Sequence, residues 1–116
     1  MAKSILISGG AGFIGSKLAL RLKANGHRVR VLDALTQQVH GENPDASPLF
    51  RSIRGEVDFI KGSVTNREDL LEALQGMEIV VHLAAETGTG QSMYAIQHYT
   101  DVNVGGTALL LDLIAN

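Results

Sequence analysis

The chain contains no cysteine among its 116 residues. A disulfide framework, thiolate metal ligands and a cysteine nucleophile are therefore excluded, and the composition is compatible with a reducing cytosol. Basic residues are not in excess either, because 10 lysines and arginines face 12 aspartates and glutamates and the net charge is −2. This balance lacks the electrostatic signature of a nucleic-acid partner. The four histidines lie apart, without the spacing of metal ligands, so we expect no metal site.

Long apolar runs are also missing. The short run at residues 5–7 is well below the about 7–15 residues of a signal-peptide core, and glycines follow it. No segment approaches the ~20 apolar residues that span a membrane. Hydrophobic residues nevertheless make up 45% of the chain, which is typical of a folded globule. We expect one domain at most, located in the cytoplasm and without a membrane partner.

The most informative feature that is present is a glycine-rich turn between a short apolar strand and an apolar helix. Gly9, Gly12 and Gly15 follow the strand pattern of residues 4–8 at three-residue spacing, and a Gly-x-Gly-x-x-Gly spacing starts from Gly10. Gly9 is expected to make the tight turn, Gly12 to admit a phosphate close to the backbone, and Gly15 to let the helix pack on the sheet. The pattern predicts that the first N–H groups of the helix face the pyrophosphate of a dinucleotide.

An acidic residue at the end of the second predicted strand supports the same ligand. Asp33 follows the strand pattern of residues 28–32, about 20 residues beyond the turn, where a carboxylate accepts hydrogen bonds from the adenosine ribose. A carboxylate there repels the 2′-phosphate of NADP, and residues 34–38 carry no positive charge. Arg28 and Arg30 precede Asp33 on the strand and could contact a 2′-phosphate only by pointing sideways. The sequence therefore predicts NAD; the weaker alternative is an ordinary glycine turn beside a solvated Asp33.

The rest of the chain alternates helix and strand patterns. Helices are predicted over 13–25, 67–75 and from about 94 or 100 to 115, with a short helix near 48–53 inside the irregular stretch 36–55, and strands over 4–8, 28–33, 56–60 and 78–83. Thr65 and Glu68 have the spacing of a capping box. Such β-α units predict an α/β fold, a Rossmann-type doubly wound parallel sheet with three α/β/α layers and strand order 3-2-1-4.

Four separated motifs resemble the extended short-chain dehydrogenase/reductase family, and above all its NAD-dependent epimerases and dehydratases of nucleotide sugars. They are the glycine turn 9–15, Asp33, His-Leu-Ala-Ala at 82–85 and Asn-Val-Gly-Gly-Thr at 103–107. They cover nearly the whole chain in the order of the family. The loop 86–94 looks most like that of bacterial nucleotide-sugar 4-epimerases, and dTDP-rhamnose-type sugars are the narrower match.

The resemblance implies a set of cofactor-binding positions. In chain order they are Gly9, Gly12, Phe13, Ile14, Gly15, Asp33, Ser63, Val64, Leu83, Ala84, Ala85, Thr87 and Asn103. The glycine turn would meet the pyrophosphate, Asp33 the adenosine ribose, and residues 83–85 the path of the cofactor along the end of the fourth strand. Thr87 would lie near the nicotinamide ribose, and Asn103 would shape the site from the last helix.

Three polar positions keep alternatives open. Ser63 stands where the family usually has an Asp that accepts from the adenine amino group, and a hydroxyl accepts more weakly than a carboxylate. NAD affinity is therefore expected to suffer at this position. His82, at the end of a buried strand, is interpreted as a packed strand residue rather than a catalytic base. Asn103 is equally open to a role in the site and to a structural hydrogen bond.

The catalytic residues that the resemblance implies are not found in this sequence. The family uses a Tyr and a Lys four residues apart, whereas Tyr94 and Tyr99 are followed at that distance by His98 and Asn103. We therefore interpret residues 1–116 as the N-terminal NAD-binding part of a longer enzyme, truncated after about four strands. The catalytic helix and substrate domain would be absent, and the chain alone would be inactive.

Three functions remain open at this stage. The first is an NAD-dependent epimerase or dehydratase of a nucleotide sugar, with a hexose 4-epimerase that oxidises C4 transiently as the preferred interpretation. The second is a non-catalytic NAD(P)-binding redox sensor or protein-interaction module, and the third and weakest is a complete miniature Rossmann protein. Since the last predicted helix carries only Asp101 and Asp112 as charges and is apolar nearly all round, it requires burial on most sides. In the family this helix contributes to a dimer interface, so we expect a homodimer through it.

Overall fold

Four parallel strands form one sheet in the part of the chain that the computed structural model describes, residues 2–36, 40–43, 46–86 and 93–115. The strands are β1 Ser4–Ser8, β2 Arg28–Asp33, β3 Asp58–Lys61 and β4 Ile79–His82. Their spatial order is β3-β2-β1-β4, which confirms the predicted order. Strands are added in one direction from β1 to β3 and in the other direction at β4. The switch point between β1 and β4 is where sheets of this type open a crevice for ligands.

Helices follow the strands on both faces of the sheet. They are α1 Phe13–Ala24, α2 Pro48–Ile53, α3 Arg67–Leu74, α4 Ile96–Thr100 and α5 Gly106–Ala115, and a π-helical turn at Asp101–Gly105 joins α4 to α5. The short helix predicted near residues 48–53 is confirmed as α2. The continuous helical segment that ends in α5 begins at Ile96, between the two predicted starting positions. None of the helices within the described ranges has both the length and the hydropathy of a membrane span.

Two apolar clusters lie on opposite faces of the sheet and make three layers. Because side chains alternate along a strand, Ile5 and Ile7 of β1 join the cluster of α1 and α2, whereas Leu6 joins the cluster of α3 and α5. Every residue of β1 is buried, as expected for a central parallel strand covered on both faces. The predicted three-layer α/β/α architecture is confirmed.

The third strand begins two residues later than predicted. The expected strand over 56–60 is observed as Asp58–Lys61, paired with the carboxyl half of β2. The preceding residues belong to the turn after α2, where the Glu56 N–H donates to the Ile53 carbonyl at 2.9 Å and Gly55 has φ +81°. Because the Glu56 N–H is bonded within this turn, it cannot pair with β2, and the strand starts at Asp58.

The capping box predicted for Thr65 and Glu68 is wrong. Asn66 caps α3 instead, since its Oδ1 accepts from the N–H of Asp69 at 3.0 Å. The Thr65 hydroxyl lies 2.7 Å from the hydroxyl of Ser63. Asn66 has the extended backbone of a cap residue, and the Asp69 carboxylate accepts from the Ser63 N–H at 2.9 Å. Asp69 thus donates its N–H to the cap residue and accepts from the loop with its carboxylate, so it joins the start of α3 to the loop that follows β3.

Candidate cofactor-binding site

A cavity of about 900 Å³ lies at the carboxyl end of the sheet, beside the switch point. Its wall is built from the glycine turn, the ends of the strands and the last helix. The residues on this wall that were predicted from the sequence are Gly9, Gly12, Phe13, Ile14, Gly15, Asp33, Ser63, Val64, Leu83, Ala84 and Ala85. Asn103 is not among the lining residues, and Thr87 lies outside the described part of the chain.

The glycine turn is tight because its backbone approaches two neighbouring segments. Gly9 has φ +73°, and a Cβ on it would lie 2.8 Å from the Ala84 nitrogen. A Cβ on Gly15 would overlap the Gly9 carbonyl oxygen, so the start of α1 packs directly on the turn. A Cβ on Gly12 would meet only the same oxygen at 3.3 Å. The sequence analysis did not assign a role to Gly10, whose added Cβ would lie 2.6 Å from a methyl group of Val31.

The first turn of α1 is open to an anion. Its N-cap residue is Gly12, which has no side chain to accept from the free N–H groups, and its first turn contains no acidic residue. Free N–H groups and the positive end of the helix dipole attract negative charge. Phe13 and Ile14 line the cavity at this turn, and each is 68% exposed. The site fits a pyrophosphate at the start of α1.

Asp33 is held rigidly at the end of β2. Its Oδ2 accepts from the Ala11 N–H at 3.0 Å, and its Oδ1 accepts from the Leu35 N–H at 2.7 Å. Leu35 has φ 54°, so the carboxylate stabilises a left-handed turn directly after the strand. An ionised carboxylate has about four acceptor positions, which leaves two for the hydroxyls of a ribose.

The charges around Asp33 bear on the choice between NAD and NADP. Within the described residues, the cavity wall contains no lysine or arginine. Arg30 is engaged on the other side of β2, where its guanidinium donates to the carbonyls of Ala73 at 2.9 Å and Gln75 at 2.8 Å and to the Asp58 carboxylate at 2.7 Å. The cavity therefore fits NAD better than NADP.

His40 is a cavity residue that the sequence analysis missed. Its side chain is 1% exposed, with Nε2 3.9 Å from Asp33 Oδ1 and Nδ1 2.8 Å from the Ser47 hydroxyl. It comes from the irregular stretch between β2 and α2. No sequence pattern places a residue of such a stretch against a particular strand end, so no local signal could have found it.

Ser63 and Val64 occupy the cavity wall between β3 and α3. The Ser63 hydroxyl lies 2.7 Å from the Thr65 hydroxyl and accepts from the Thr65 N–H at 3.1 Å. Val64 is buried against the last helix, where an added Cβ on Gly106 would lie 2.6 Å from a Val64 methyl group. Ser63 is thus available to a ligand only as a hydroxyl that already shares its hydrogen bonds with the loop.

Asn103 holds the last part of the wall in place through the backbone of Glu86. Its Oδ1 accepts from the Glu86 N–H at 2.7 Å, and its Nδ2 donates to the Glu86 carbonyl at 3.1 Å. Between the two roles left open by the sequence, the structure favours the hydrogen bond. Glu86 itself lines the cavity, with its carboxylate 3.2 Å from His98 Nε2. The sequence analysis missed both Glu86 and His98 as lining residues.

His82 lies at the end of β4 with both ring nitrogens in hydrogen bonds. Nδ1 is 2.5 Å from the Ser8 hydroxyl, and Nε2 is 3.1 Å from the Thr107 hydroxyl. Burial lowers the pKa of the His82 ring below its ordinary value of 6.5. These contacts agree with a packed strand residue, and a ring bonded at both nitrogens is not free to act as a base.

The pKa of His82 predicts a loss of stability in acid. Because the folded pKa lies below the unfolded value of 6.5, the stabilisation is present above pH 6.5 and is lost as the pH falls through the folded pKa. His82→Gln removes this titration. We expect the difference in unfolding free energy between the native chain and this variant to shrink on acidification from pH 7 to pH 5, measured by urea denaturation. A difference that stays constant over this range would contradict the assignment.

Known proteins are similar to this chain in sequence. Residues 5–116 match the NAD dependent epimerase/dehydratase family. The chain is similar to a dTDP-L-rhamnose 4-epimerase of Burkholderia thailandensis, with 40% identity over 115 residues that cover 97% of this chain and 30% of the relative. The chain spans about a third of the length of this epimerase and of several other relatives.

Solved structures are similar over the same region. A UDP-glucose 4-epimerase of Stenotrophomonas maltophila, with bound NAD and formylated UDP-arabinopyranose, has a TM-score of 0.78 and 31% identity over 95% of this chain and 32% of its own. A dTDP-glucose 4,6-dehydratase of Streptomyces venezuelae, with NAD and TYD bound, has a TM-score of 0.77 and 31% identity over 94% of this chain and 34% of its own.

Proposed function

Since the chain belongs to the NAD dependent epimerase/dehydratase family, we propose that its 116 residues bind NAD as the N-terminal part of a nucleotide-sugar epimerase or dehydratase. The observation that carries this proposal is the Asp33 carboxylate, fixed by two backbone N–H groups on a cavity wall without lysine or arginine among the described residues. A protein-interaction module that binds no nucleotide would not need this carboxylate, whereas an NAD(P)-binding redox sensor would, and the match to the epimerase/dehydratase family favours the enzyme over the sensor.

Each part of the cavity supplies one kind of contact to the cofactor. We assign the pyrophosphate to the glycine turn and the first turn of α1, the adenosine ribose to Asp33, and the adenine to Ser63 and Val64. The nicotinamide half is assigned to residues 83–85, with Thr87 near its ribose. When bound, NAD supplies a hydride acceptor for transient oxidation of a sugar hydroxyl.

A hexose 4-epimerase is the activity that we favour for the longer protein. The relative with 40% identity is a dTDP-L-rhamnose 4-epimerase, and this relative supports the choice, because the epimerase and dehydratase structures are equally similar at 31% identity. The substrate proposed is a hexose linked to dTDP or UDP. Neither Tyr94 nor Tyr99 has a lysine four residues later, so the proton-transferring groups would come from outside these 116 residues.

Direct titration tests the proposal. NAD and NADP are each titrated calorimetrically into the 116-residue chain, whose folding is followed by circular dichroism. Saturable NAD binding and weaker NADP binding are expected. A folded chain that binds neither nucleotide would refute the cofactor role, and comparable affinity for both would refute the preference for NAD. Turnover of dTDP- or UDP-hexoses by this chain alone would contradict its assignment as a cofactor-binding part.

Ser63→Asp is expected to tighten NAD binding several-fold. A carboxylate accepts from the adenine amino group more strongly than a hydroxyl does, although Asp69, bonded to the N–H of Ser63 at 2.9 Å, opposes part of this gain by repulsion. Calorimetric Kd values for NAD measure the effect, and Ser63→Ala is the matched control with an expected small loss. Weaker binding by Ser63→Asp than by Ser63→Ala would show that the adenine lies elsewhere.

A homodimer through the last helix is a further part of the proposal. One side of α5 is buried against the sheet through Leu110, whereas Leu111 and Ile114 are 60% and 55% exposed, and Val104 in the preceding π-helical turn is 65% exposed. An exposed apolar stripe of this kind favours self-association. Sedimentation of the native chain is expected to show dimers, and Leu111→Glu is expected to shift them to monomers. A native chain that stays monomeric at high concentration would contradict the dimer.

We also propose that the protein is cytoplasmic and that it does not bind nucleic acid. A cytoplasmic location and the lack of nucleic-acid binding are favoured by the composition and the net charge of −2. Cell fractionation of the natural protein and a DNA-binding titration at low salt would check them. Recovery in a membrane fraction, or DNA binding that weakens with added salt, would contradict these two expectations respectively.

A further inference from the structure

The imidazole of His82 connects three elements at the edge of the cavity. His82 ends β4 and lies in register with Ser8, which ends β1. Nδ1 is 2.5 Å from the Ser8 hydroxyl, and Nε2 is 3.1 Å from the hydroxyl of Thr107 on α5. The ring therefore forms a bridge from the centre of the sheet to the last helix.

The positions of the hydrogens along this bridge follow from its ends. The Ser8 hydroxyl oxygen accepts from the N–H groups of Leu83 at 3.1 Å and Ala84 at 3.2 Å. With both lone pairs engaged, the hydroxyl must donate its own hydrogen to His82 Nδ1. The neutral ring then carries its hydrogen on Nε2 and donates to Thr107. The Thr107 hydroxyl donates in turn to the Asn103 carbonyl at 2.9 Å.

Both ends of the bridge reach the same stretch of the cavity wall. The Ser8 hydroxyl holds the backbone of residues 83 and 84, and Asn103 holds Glu86 by both of its backbone groups. Leu83 also donates to the Ser8 carbonyl at 2.9 Å and does not depend on the hydroxyl. For the Ala84 N–H, the hydroxyl of Ser8 is the acceptor that the described part of the chain provides.

We propose that His82 is a positioning residue, which in its neutral Nε2–H form orients the Ser8 hydroxyl so that this hydroxyl holds the Ala84 N–H in the cavity wall. Without an acceptor at Nδ1, the hydroxyl hydrogen would compete for the side on which Ala84 donates. The effect on cofactor binding is indirect, through the wall at residues 83–86. That part of the inference rests on the proposed NAD function, whereas the network itself does not.

The sharpest test is made on the 116-residue chain without any ligand. Nitrogen-15 NMR of the imidazole is expected to show a neutral His82 with hydrogen on Nε2 at pH 7. In His82→Leu, which fills the space without hydrogen bonds, the amide of Ala84 is expected to exchange about five to ten times faster, while the Leu83 amide changes little. His82→Gln keeps an acceptor and a donor and is expected to restore most of the protection of Ala84.

Several outcomes would overturn the proposal. These are hydrogen on Nδ1, unchanged Ala84 exchange in His82→Leu, or equal loss of protection at Leu83 and Ala84, which indicates general loosening. Should His82→Leu fail to fold, His82→Val, which also lacks an acceptor for the Ser8 hydroxyl, carries the same expectation for the Ala84 amide. NAD affinity should fall several-fold in His82→Leu and recover in His82→Gln. If the native chain shows the expected exchange but binds no NAD, the proposed function fails and the network stands.

Discussion

Gly15→Ala is expected to lower the free energy of unfolding by about 3 kcal/mol and to abolish NAD binding. The added methyl group would overlap the Gly9 carbonyl oxygen and lie 2.7 Å from the Gly10 Cα. These are backbone atoms of a turn that is tied to β2 by a 2.8 Å bond from the Gly9 N–H to the Leu32 carbonyl. They cannot move aside as the end of a flexible side chain would. Urea denaturation and an NAD titration measure the two effects.

Gly12→Ala is the matched control, because it adds the same methyl group three residues earlier. Its Cβ would meet the Gly9 oxygen at 3.3 Å, so the turn needs to shift only slightly. The change in unfolding free energy is expected to be below about 1 kcal/mol. NAD affinity should nevertheless fall about tenfold or more, since the methyl group lies where the phosphates approach the backbone. Native stability in Gly15→Ala, or native affinity in Gly12→Ala, would contradict the role assigned to that glycine.

Asp33→Asn is expected to reduce NAD affinity about a hundredfold and to bring the NAD and NADP affinities close together. Hydrogen bonds to a charged group contribute about 1.5–3 kcal/mol, and an amide offers only one acceptor atom. In the native chain the two carboxylate oxygens accept from Ala11 and Leu35, so one of these N–H groups would lose its partner. Removing the charge also removes the repulsion of a 2′-phosphate. Calorimetric titration with both nucleotides gives the ratio.

Glu86→Gln is the control for the loss of charge alone. Glu86 is another carboxylate on the cavity wall; its backbone is bonded to Asn103, and its side-chain oxygen lies 3.2 Å from His98 Nε2. Its neutralisation is expected to leave the ratio of NAD to NADP affinity nearly unchanged, because no ribose contact is assigned to it. Should Asp33→Asn keep the native preference for NAD, or should Glu86→Gln lose it equally, the ribose would have to be placed elsewhere.

The order of the strands could be predicted because each step depended on neighbouring residues. Alternation of β and α patterns, together with right-handed connections, leaves few topologies, and the observed β3-β2-β1-β4 sheet is the simplest of them. The short helix predicted near residues 48–53 is observed as α2, Pro48–Ile53. The family and its use of NAD were correctly identified from four motifs, and residues 5–116 match that family.

Errors arose where two local solutions differed by one or two residues. Thr65 and Asn66 are both good cap residues, and the choice of Asn66 depends on where the Asp69 carboxylate meets the loop from β3. The start of β3 is similar, since Glu56 fits a strand pattern but its N–H closes the turn after α2. In both places the boundary follows from a hydrogen bond to a neighbouring segment, which is a side-chain bond at the start of α3 and a backbone bond before β3.

Glycine spacing, the position of Asp33 and the sequence of elements were thus sufficient for the fold and for the proposed cofactor. The sequence did not reveal that Ser8 would meet His82, that His40 would lie beside Asp33, or that Asn103 would hold Glu86. Backbone preferences and periodicity act over a few residues, so they can be read along the chain. The contact of Ser8 with a residue 74 positions away depends on strand register and on the packing of the last helix. Only the tertiary structure sets that register, and the hydrogen bonds of Ser8 with His82 and Ala84 depend on it.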